Sequence, residues 1–515
     1  MMENLTRLAA EQQRQFDAST LPDARKERGH FGTSPAIAGF MAEMFTLTTS
    51  RPMCILDPGA GVGTLSAAVC QRVLQQRNVR HRLVLELWEN DPHLEARLRG
   101  TMEACREALK GAGHEMEFTI RTEDFVLENA RPPLFAAGAA PSFDLVIMNP
   151  PYSKLRKDSQ AARAMAHVVH GQPNVYVLFM AAAAGLLRDG GEMIAVTPRS
   201  YFNGPYFKRF RKWFFDRMTA RHIHVFESRT EAFQEDDVLQ ENVILSAEKG
   251  GGPKDVVITS SAGRDFRDLG RHALPYAKVV ENSSGDHLVR VAVSPLELEI
   301  VDAVDGFSRR FRELPFQIST GPVVTFRSRA FLRRERSGDT APLLWMHNVR
   351  PFAAHFPAKN GKPAHILVSK ESIRLLLPAK RYVLLKRFTS KEERRRLVAG
   401  VVESEDSYSP FVGLENHLNY IYRPGGELAK EEALGVAALL NSALVDRYFR
   451  AVSGNTQVNA AEIRSMPVPG METIREIGKA VERLGDKRPA AVERFVGEAV
   501  ALPEKLIRKL SESFQ

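Results

Sequence analysis

The sequence predicts a two-part chain: an α/β unit on a mostly parallel sheet covered by helices, followed by a mixed α+β unit. Three observations carry this. From residue 53 to about 250, short apolar β-like runs alternate with helical stretches, the rhythm of strands joined by helical crossovers. The first run ends in the glycine-rich turn "ILDPGAGVGTL" (55–65), directly before a helix. Beyond about residue 305 the rhythm stops, and short strand candidates separated by basic loops replace it.

Composition sets the limits. Apolar residues make up 44% and charged residues 26% of 515, which excludes a disordered or fibrous chain and suits two to four domains. Lys and Arg number 71 against 62 Asp and Glu; the excess favours a polyanionic partner and equally serves solubility. The three cysteines, Cys54, Cys70 and Cys105, form no CxxC pair, so neither a disulfide framework nor a zinc site is expected, and a reducing cytoplasm fits. The amino end has no apolar signal core, and the longest apolar run (175–187) is too short to span a bilayer, so a soluble cytoplasmic protein is expected.

In chain order, a helical segment (1–28) precedes the α/β unit (29–250). Its strand candidates are "MCILDPG", "RLVLELWE", "FTIRTEDF", "FDLVIMNPP", "EMIAVTP", "HIHVF" and "NVILSAE". "GGGPKD" (250–255) opens a connecting region (251–305) that includes strand-like "VVITSS". The second unit (306–470) carries strand candidates "GPVVTFRS", "PLLWMHNV" and "RYVLLKRF" and a helical stretch at 431–452. Amphipathic helical patterns fill 471–515.

Gly59, Gly61 and Gly63 have the spacing G-x-G-x-G, and no G-K-[ST] follows, so a P-loop is excluded. With Asp57 beside them, a cationic ligand suits the turn better than a pyrophosphate. Glu89 ends the next strand candidate, where a carboxylate can accept two ribose hydroxyls. Asp124 and Phe125 end the third, an acceptor and a ring suited to adenine. Each alone has a plainer role, as a turn or a helix cap. Their shared place at strand carboxyl ends argues for one ligand. In "MNPPYSKL" (148–155), Asn149 offers a side-chain carbonyl, and Pro150-Pro151 fixes the direction of a backbone carbonyl because each ring locks φ. Two convergent acceptors suit an NH₂ group that must become nucleophilic, and Tyr152 offers a stacking face or packs in the core.

"LDPGAGVGTL", "WENDP", "TEDF" and "NPPY", in that order, closely resemble S-adenosylmethionine-dependent amino-methyltransferases that act on adenine N6 in DNA. "GHFGTSPAIAGFMAEMF" (29–45) resembles their N-terminal cofactor motif, centred on Thr33 and Pro35. Methyltransferase motifs ahead of a C-terminal recognition region give the gamma arrangement of restriction-modification enzymes. "FQEDDVLQENVILSAEK" (233–249) resembles the last motif, with Phe233 as a second ring against the base or a core residue. "VLLKRFTSKEERRRLVA", "GLENHLNYIYRP" and "YFRAVSGNTQVNAAEIRSMPVP" resemble recognition regions of Eco57I-like and PaeR7I-like methyltransferases.

The resemblance implies a class I, Rossmann-like methyltransferase domain plus an α+β DNA target-recognition domain. It implies S-adenosyl-L-methionine as cofactor, held by Thr33, Pro35, Asp57, Gly59, Gly61, Gly63, Glu89, Asp124 and Phe125, and no metal. Catalysis would rest on Asn149, Pro150, Pro151, Tyr152 and Phe233, with the target base flipped out of double-stranded DNA. Lys386, Arg387, Arg394, Arg395 and Arg396 would meet phosphates, and Asn455, Gln457 and Asn459 would read bases; the charged run is alternatively a solvated helix face. The chain would act as a monomer and as the modification component of a type II system with a separate restriction endonuclease. 5-Methylcytosine chemistry is not expected, since no cysteine follows a proline. N4-cytosine, RNA and protein glutamine remain alternative targets of the same loop.

Overall fold

The computed structural model describes residues 4–19, 32–48, 50–76, 79–130, 142–171, 173–226, 241–282, 285–357, 361–389, 393–453, 457–483 and 487–512. The chain divides into two units, Met1–Val293 and Ser294–Gln515.

The first unit is organised by a nine-stranded sheet of β1 (Met53–Pro58), β2 (Arg82–Trp88), β3 (Glu115–Arg121), β4 (Phe143–Met148), β5 (Leu187–Pro198), β6 (Met218–Phe226), β7 (Asn242–Lys249), β8 (Val256–Ser261) and β9 (Gly270–Leu274). Their order is 3-2-1-4-5-7-6-8-9. Strands 1 to 5 run parallel, while β7 lies antiparallel between β5 and β6. This is the class I methyltransferase fold that the motifs imply. β1 and β4 are mostly apolar because both of their faces are covered; Ile55, Leu56, Val146 and Ile147 are inaccessible to solvent. The order reverses at β1 and β4, so the loops after their carboxyl ends flank the crevice where ligands bind.

Two expectations need adjustment here. "VVITSS" is β8 of the same sheet rather than a connector. The third strand begins earlier, at Glu115, and "TEDF" lies beyond it, where Asp124 caps the helix Phe125–Asn129.

The second unit has a four-stranded antiparallel sheet in the order Gln317–Thr320, Leu418–Tyr422, Tyr382–Lys386, Ala399–Val402. A five-stranded sheet has the order Leu332–Arg333, His365–Leu367, Thr340–Leu344, Phe411–Leu414, Leu376–Pro378. Helices Lys430–Asn441, Met471–Arg483 and Pro489–Ala499 close its main core, with Val383, Leu385, Ile421, Ala437, Ile477 and Val496 buried together. The helices Lys430–Asn441 and Met471–Arg483 touch backbone to backbone, since a Cβ on Gly478 would overlap the Glu431 carbonyl. The helical stretch expected at 431–452 is two helices, broken at Ser442, whose Oγ accepts the Val445 amide at 3.2 Å to start the second. "GPVVTFRS" does not form the expected strand: only Val323 makes a β-bridge, to Glu415, before the chain turns. Among the described residues, no helix is long and apolar enough to cross a membrane.

Candidate active site

The residues singled out at the strand ends converge on one cavity of about 270 Å³ in the first unit. Thr33, Gly59, Gly61, Glu89, Asp124, Phe125, Asn149 and Pro151 all line it.

The turn after β1 explains its own glycines. Gly59, Gly61 and Gly63 have φ of +75°, +58° and +85°, the left-handed region that side chains disfavour. At Gly63 a Cβ would also meet Leu98 at 2.8 Å and Met102 at 3.0 Å. The turn is tied to β2, since the amides of Gly59 and Ala60 both donate to the Trp88 carbonyl at 2.8 Å. Glu89 fixes the other side: one carboxylate oxygen accepts the Gly61 amide at 2.9 Å and the other the Asp91 amide at 2.8 Å. These bonds orient the Glu89 carboxylate at the cavity wall.

Asp57 behaves differently from its expected role. It is 1% exposed and does not line the cavity. Ser66 donates to one of its oxygens at 2.6 Å, and the other is buried without a hydrogen-bond partner. Burial pushes its carboxyl up to about 7, opposed by Ser66 and reinforced by the nearby Glu89 charge. It braces the glycine turn from behind, and its free oxygen is a polar demand that a donor reaching through the turn would satisfy. Pro35 also acts indirectly: it opens the helix Pro35–Glu43 behind its Ser34 cap.

Asp124 has both roles weighed for it, lining the cavity while accepting the Leu127 amide at 2.9 Å. Phe125 is buried against Trp88, edge-on at 5.5 Å, and Phe179, at 5.3 Å. Trp88 and Phe179, with Gln13 and Phe16 of the helix Leu5–Ser19, also line the cavity and were not among the expected residues. Trp88 had a signal, its place one residue before Glu89 at a strand end. Gln13, Phe16 and Phe179 are brought in by tertiary packing. A left-handed glycine turn, two acids and an aromatic wall fit a ribose diol and a planar base.

Asn149 is held at both ends of its amide. Its Nδ2 donates to Thr33 Oγ1 at 3.0 Å, and its Oδ1 accepts the Tyr152 hydroxyl at 2.8 Å. The hydroxyl is also 3.2 Å from the Val196 carbonyl of β5. The amide is thus held between two hydroxyls, Thr33 on one side and Tyr152 on the other. Tyr152 is half-buried and meets Tyr176 edge-on at 6.3 Å. Downstream the loop is anchored by the Val175 amide on the Ser153 carbonyl and the Leu155 amide on the Pro173 carbonyl, both at 2.9 Å. Phe233 lies outside the described residues.

In the second unit the expected DNA contacts separate by environment. Arg394 is exposed, whereas Arg396 is 2% exposed, donates to the Thr389 carbonyl and lies over the Phe449 ring. That burial removes Arg396 from any surface a phosphate could reach. Arg395 is half-buried and donates to the Asn441 carbonyl. The run that could have been one charged helix face is therefore split between core and surface. Lys386 ends the strand Tyr382–Lys386, and Arg387 donates to the Asn416 carbonyl at 3.1 Å. Gln457 bridges to Phe388, and Asn459 caps the helix Ala460–Ser465. Asn455 lies outside the described residues.

Residues 66–233 match the family model of the Eco57I restriction-modification methylase. Over 461 residues the chain is 34% identical to the type II methyltransferase M.BsuBI of Bacillus subtilis, covering 89% of this chain and 90% of that one. It is 31% identical over 493 residues to the type II methyltransferase M.PstI of Providencia stuartii, covering 94% and 95%. Among solved structures, the type IIL restriction-modification enzyme MmeI in complex with DNA shares the fold, with a TM-score of 0.54 at 12% identity over 90% of this chain and 69% of that one.

Proposed function

The chain belongs to the type II methyltransferases of restriction-modification systems, and from that premise we propose that it methylates the N6 amino group of adenine in double-stranded DNA. The observation that carries this reading is the Asn149 amide, held by Thr33 and Tyr152 at the wall of a cavity lined by the glycine turn, Glu89, Asp124 and aromatic rings.

S-adenosylmethionine, when bound, supplies an electrophilic methyl group. Gly59, Gly61, Glu89, Asp124 and Phe125 are the wall residues that would hold it, with Asp57 supporting the turn from behind. Asn149 Oδ1 and the Pro150 carbonyl accept hydrogen bonds from the two N–H groups of the substrate amine and pull its nitrogen toward a tetrahedral shape with an available lone pair. No strong base is needed, because the proton leaves after the nitrogen has become positively charged. The adenine must leave the duplex at a cost of about a few kcal/mol, and the Tyr152 ring offers it a stacking face. The second unit reads the DNA, and a separate endonuclease partner and action as a monomer complete the reading.

The test is to incubate the full chain with methyl-labelled S-adenosylmethionine and, separately, unmethylated duplex DNA, total RNA and cell protein, and to identify the labelled product after hydrolysis. N6-methyladenine from DNA is expected. Label confined to RNA or protein, or N4-methylcytosine as the sole DNA product, overturns the substrate.

A further inference from the structure

The second unit carries an exposed aromatic ring at the base of an arginine-rich arm. Phe326 is 65% exposed. Its backbone is nonetheless held: the Val323 amide donates to the Leu414 carbonyl, and the Asn416 amide to the Val323 carbonyl, both at 3.0 Å. Val323 and Ser328, on either side, are buried, and the Ser328 amide closes the turn on the Val324 carbonyl at 3.0 Å. The ring therefore projects from an ordered turn rather than from a frayed loop.

Arg327, Arg329, Arg333, Arg334 and Arg336 follow within ten residues, all exposed, against a single acid, Glu335. Among the described residues, none of the five pairs with a carboxylate. Arg327 lies over the Phe326 ring at 5.2 Å and Arg336 over Tyr408 at 4.0 Å. An uncompensated group of guanidinium ions around an exposed ring is complementary to a polyanion that also offers flat apolar faces, which is nucleic acid.

The arm is continuous with the other basic candidates of this unit. The turn Glu415–His417 bonds Val323 of the arm through Asn416 on one side. On the other it receives Arg387, whose guanidinium meets the Asn416 carbonyl at 3.1 Å and whose amide meets the His417 carbonyl at 3.0 Å. The Val458 amide bonds the Arg387 carbonyl at 2.8 Å, and Phe388 bridges to Gln457. One strip thus runs from Phe326 through Asn416 to Arg387 and Gln457.

We propose that this arm enters duplex DNA, the Phe326 ring lodging between neighbouring base pairs while Arg327, Arg329 and Arg334 neutralise phosphates beside it. The inference rests on DNA being the substrate. A wedged ring unstacks one step and kinks the duplex there. The ring and the arginines have separable signatures, because stacking affects affinity at any salt while phosphate contacts set the slope of affinity against salt.

The experiment uses the full chain and a duplex containing the site mapped from its own methylation product. Phe326→Ala, Phe326→Trp and the triple variant Arg327→Gln, Arg329→Gln, Arg334→Gln are compared with wild type for affinity across a salt series. Fluorescence of 2-aminopurine placed at successive steps reports unstacking. Because these side chains are exposed, the variants should melt as wild type does. Phe326→Ala should weaken binding about tenfold with an unchanged salt slope and abolish a fluorescence rise that Phe326→Trp retains. The triple variant should lower the slope by about two to three. Wild-type affinity, slope and fluorescence in all variants, with the wild-type protein methylating DNA, would overturn the inference alone. Wild-type protein that neither binds nor methylates duplex DNA overturns the substrate reading, and the inference with it.

Discussion

The loop after β4 and the run from Lys386 to Arg396 are both rich in candidate residues, yet the fold treats them differently. In the first, Asn149 follows the last residue of a buried parallel strand, so the topology delivers its amide to the crevice where Thr33 and Tyr152 hold it. In the second, adjacent arginines part company, Arg394 to solvent and Arg396 to the core. A strand end in a doubly wound sheet has one destination. A basic run acquires its roles residue by residue, from whatever packs against it.

The sharpest break of this contrast is kinetic. Asn149→Ala should reduce single-turnover methyl transfer at least about a hundredfold, the scale on which lost transition-state hydrogen bonds are felt, with the cofactor dissociation constant changed by less than about twofold. Equal losses in both would return Asn149 to a binding role.

The buried members of the second unit come next. Arg396→Ala should destabilise this unit by about 3 kcal/mol in denaturant unfolding, because it empties a packed site and leaves the Thr389 carbonyl unsatisfied. Arg394→Ala should leave stability within about 0.5 kcal/mol. Similar values for the two would erase the distinction between core and surface arginine.

Glu493, which accepts the backbone amides of Ala443 and Leu444, is pushed up to about 7 by burial, from an ordinary value of 4.5. Below about pH 4.5 the group is protonated folded and unfolded. As pH rises toward 7 the unfolded chain releases the proton first, so stability falls through that window and is lowest above it. Glu493→Gln should remove a decline of about 3 kcal/mol between pH 4.5 and 7.5, read as the difference between wild-type and variant unfolding curves. Parallel curves would mean that Glu493 is ionised in the fold throughout.

The smallest effect belongs to Thr33. Thr33→Val removes one hydrogen bond, worth about 1 kcal/mol, and should slow turnover about two- to tenfold, with Thr33→Ser restoring it. A loss confined to cofactor affinity would make Thr33 a cofactor contact only.

The parts legible in sequence are those fixed by backbone chemistry. The glycine spacing encodes three left-handed residues, and the acids after β2 and β3 inherit their place from the sheet. Asp57 sits behind the turn rather than on the cavity wall, one carboxylate oxygen accepting the Ser66 hydroxyl, a placement that depends on packing and not on spacing. Phe179 and Phe16 reach the cavity from helices distant in sequence, with no local pattern to announce them. "GPVVTFRS" has the β-branched content of a strand, but its backbone bonds to neighbouring strands end at Gly321 and Val323, and Thr325 turns instead toward the Glu415 carboxylate. Strand propensity that finds a partner at only two residues does not extend into a strand.

The central claim is that cofactor and amide share one cavity. Ultraviolet crosslinking of methyl-labelled S-adenosylmethionine to the wild-type chain, followed by peptide mapping, tests it most directly. Label is expected on peptides spanning Trp88–Asn90, Glu123–Phe125 or Asn149–Ser153, all on the cavity wall. Label confined to peptides that contribute nothing to that wall would contradict the account.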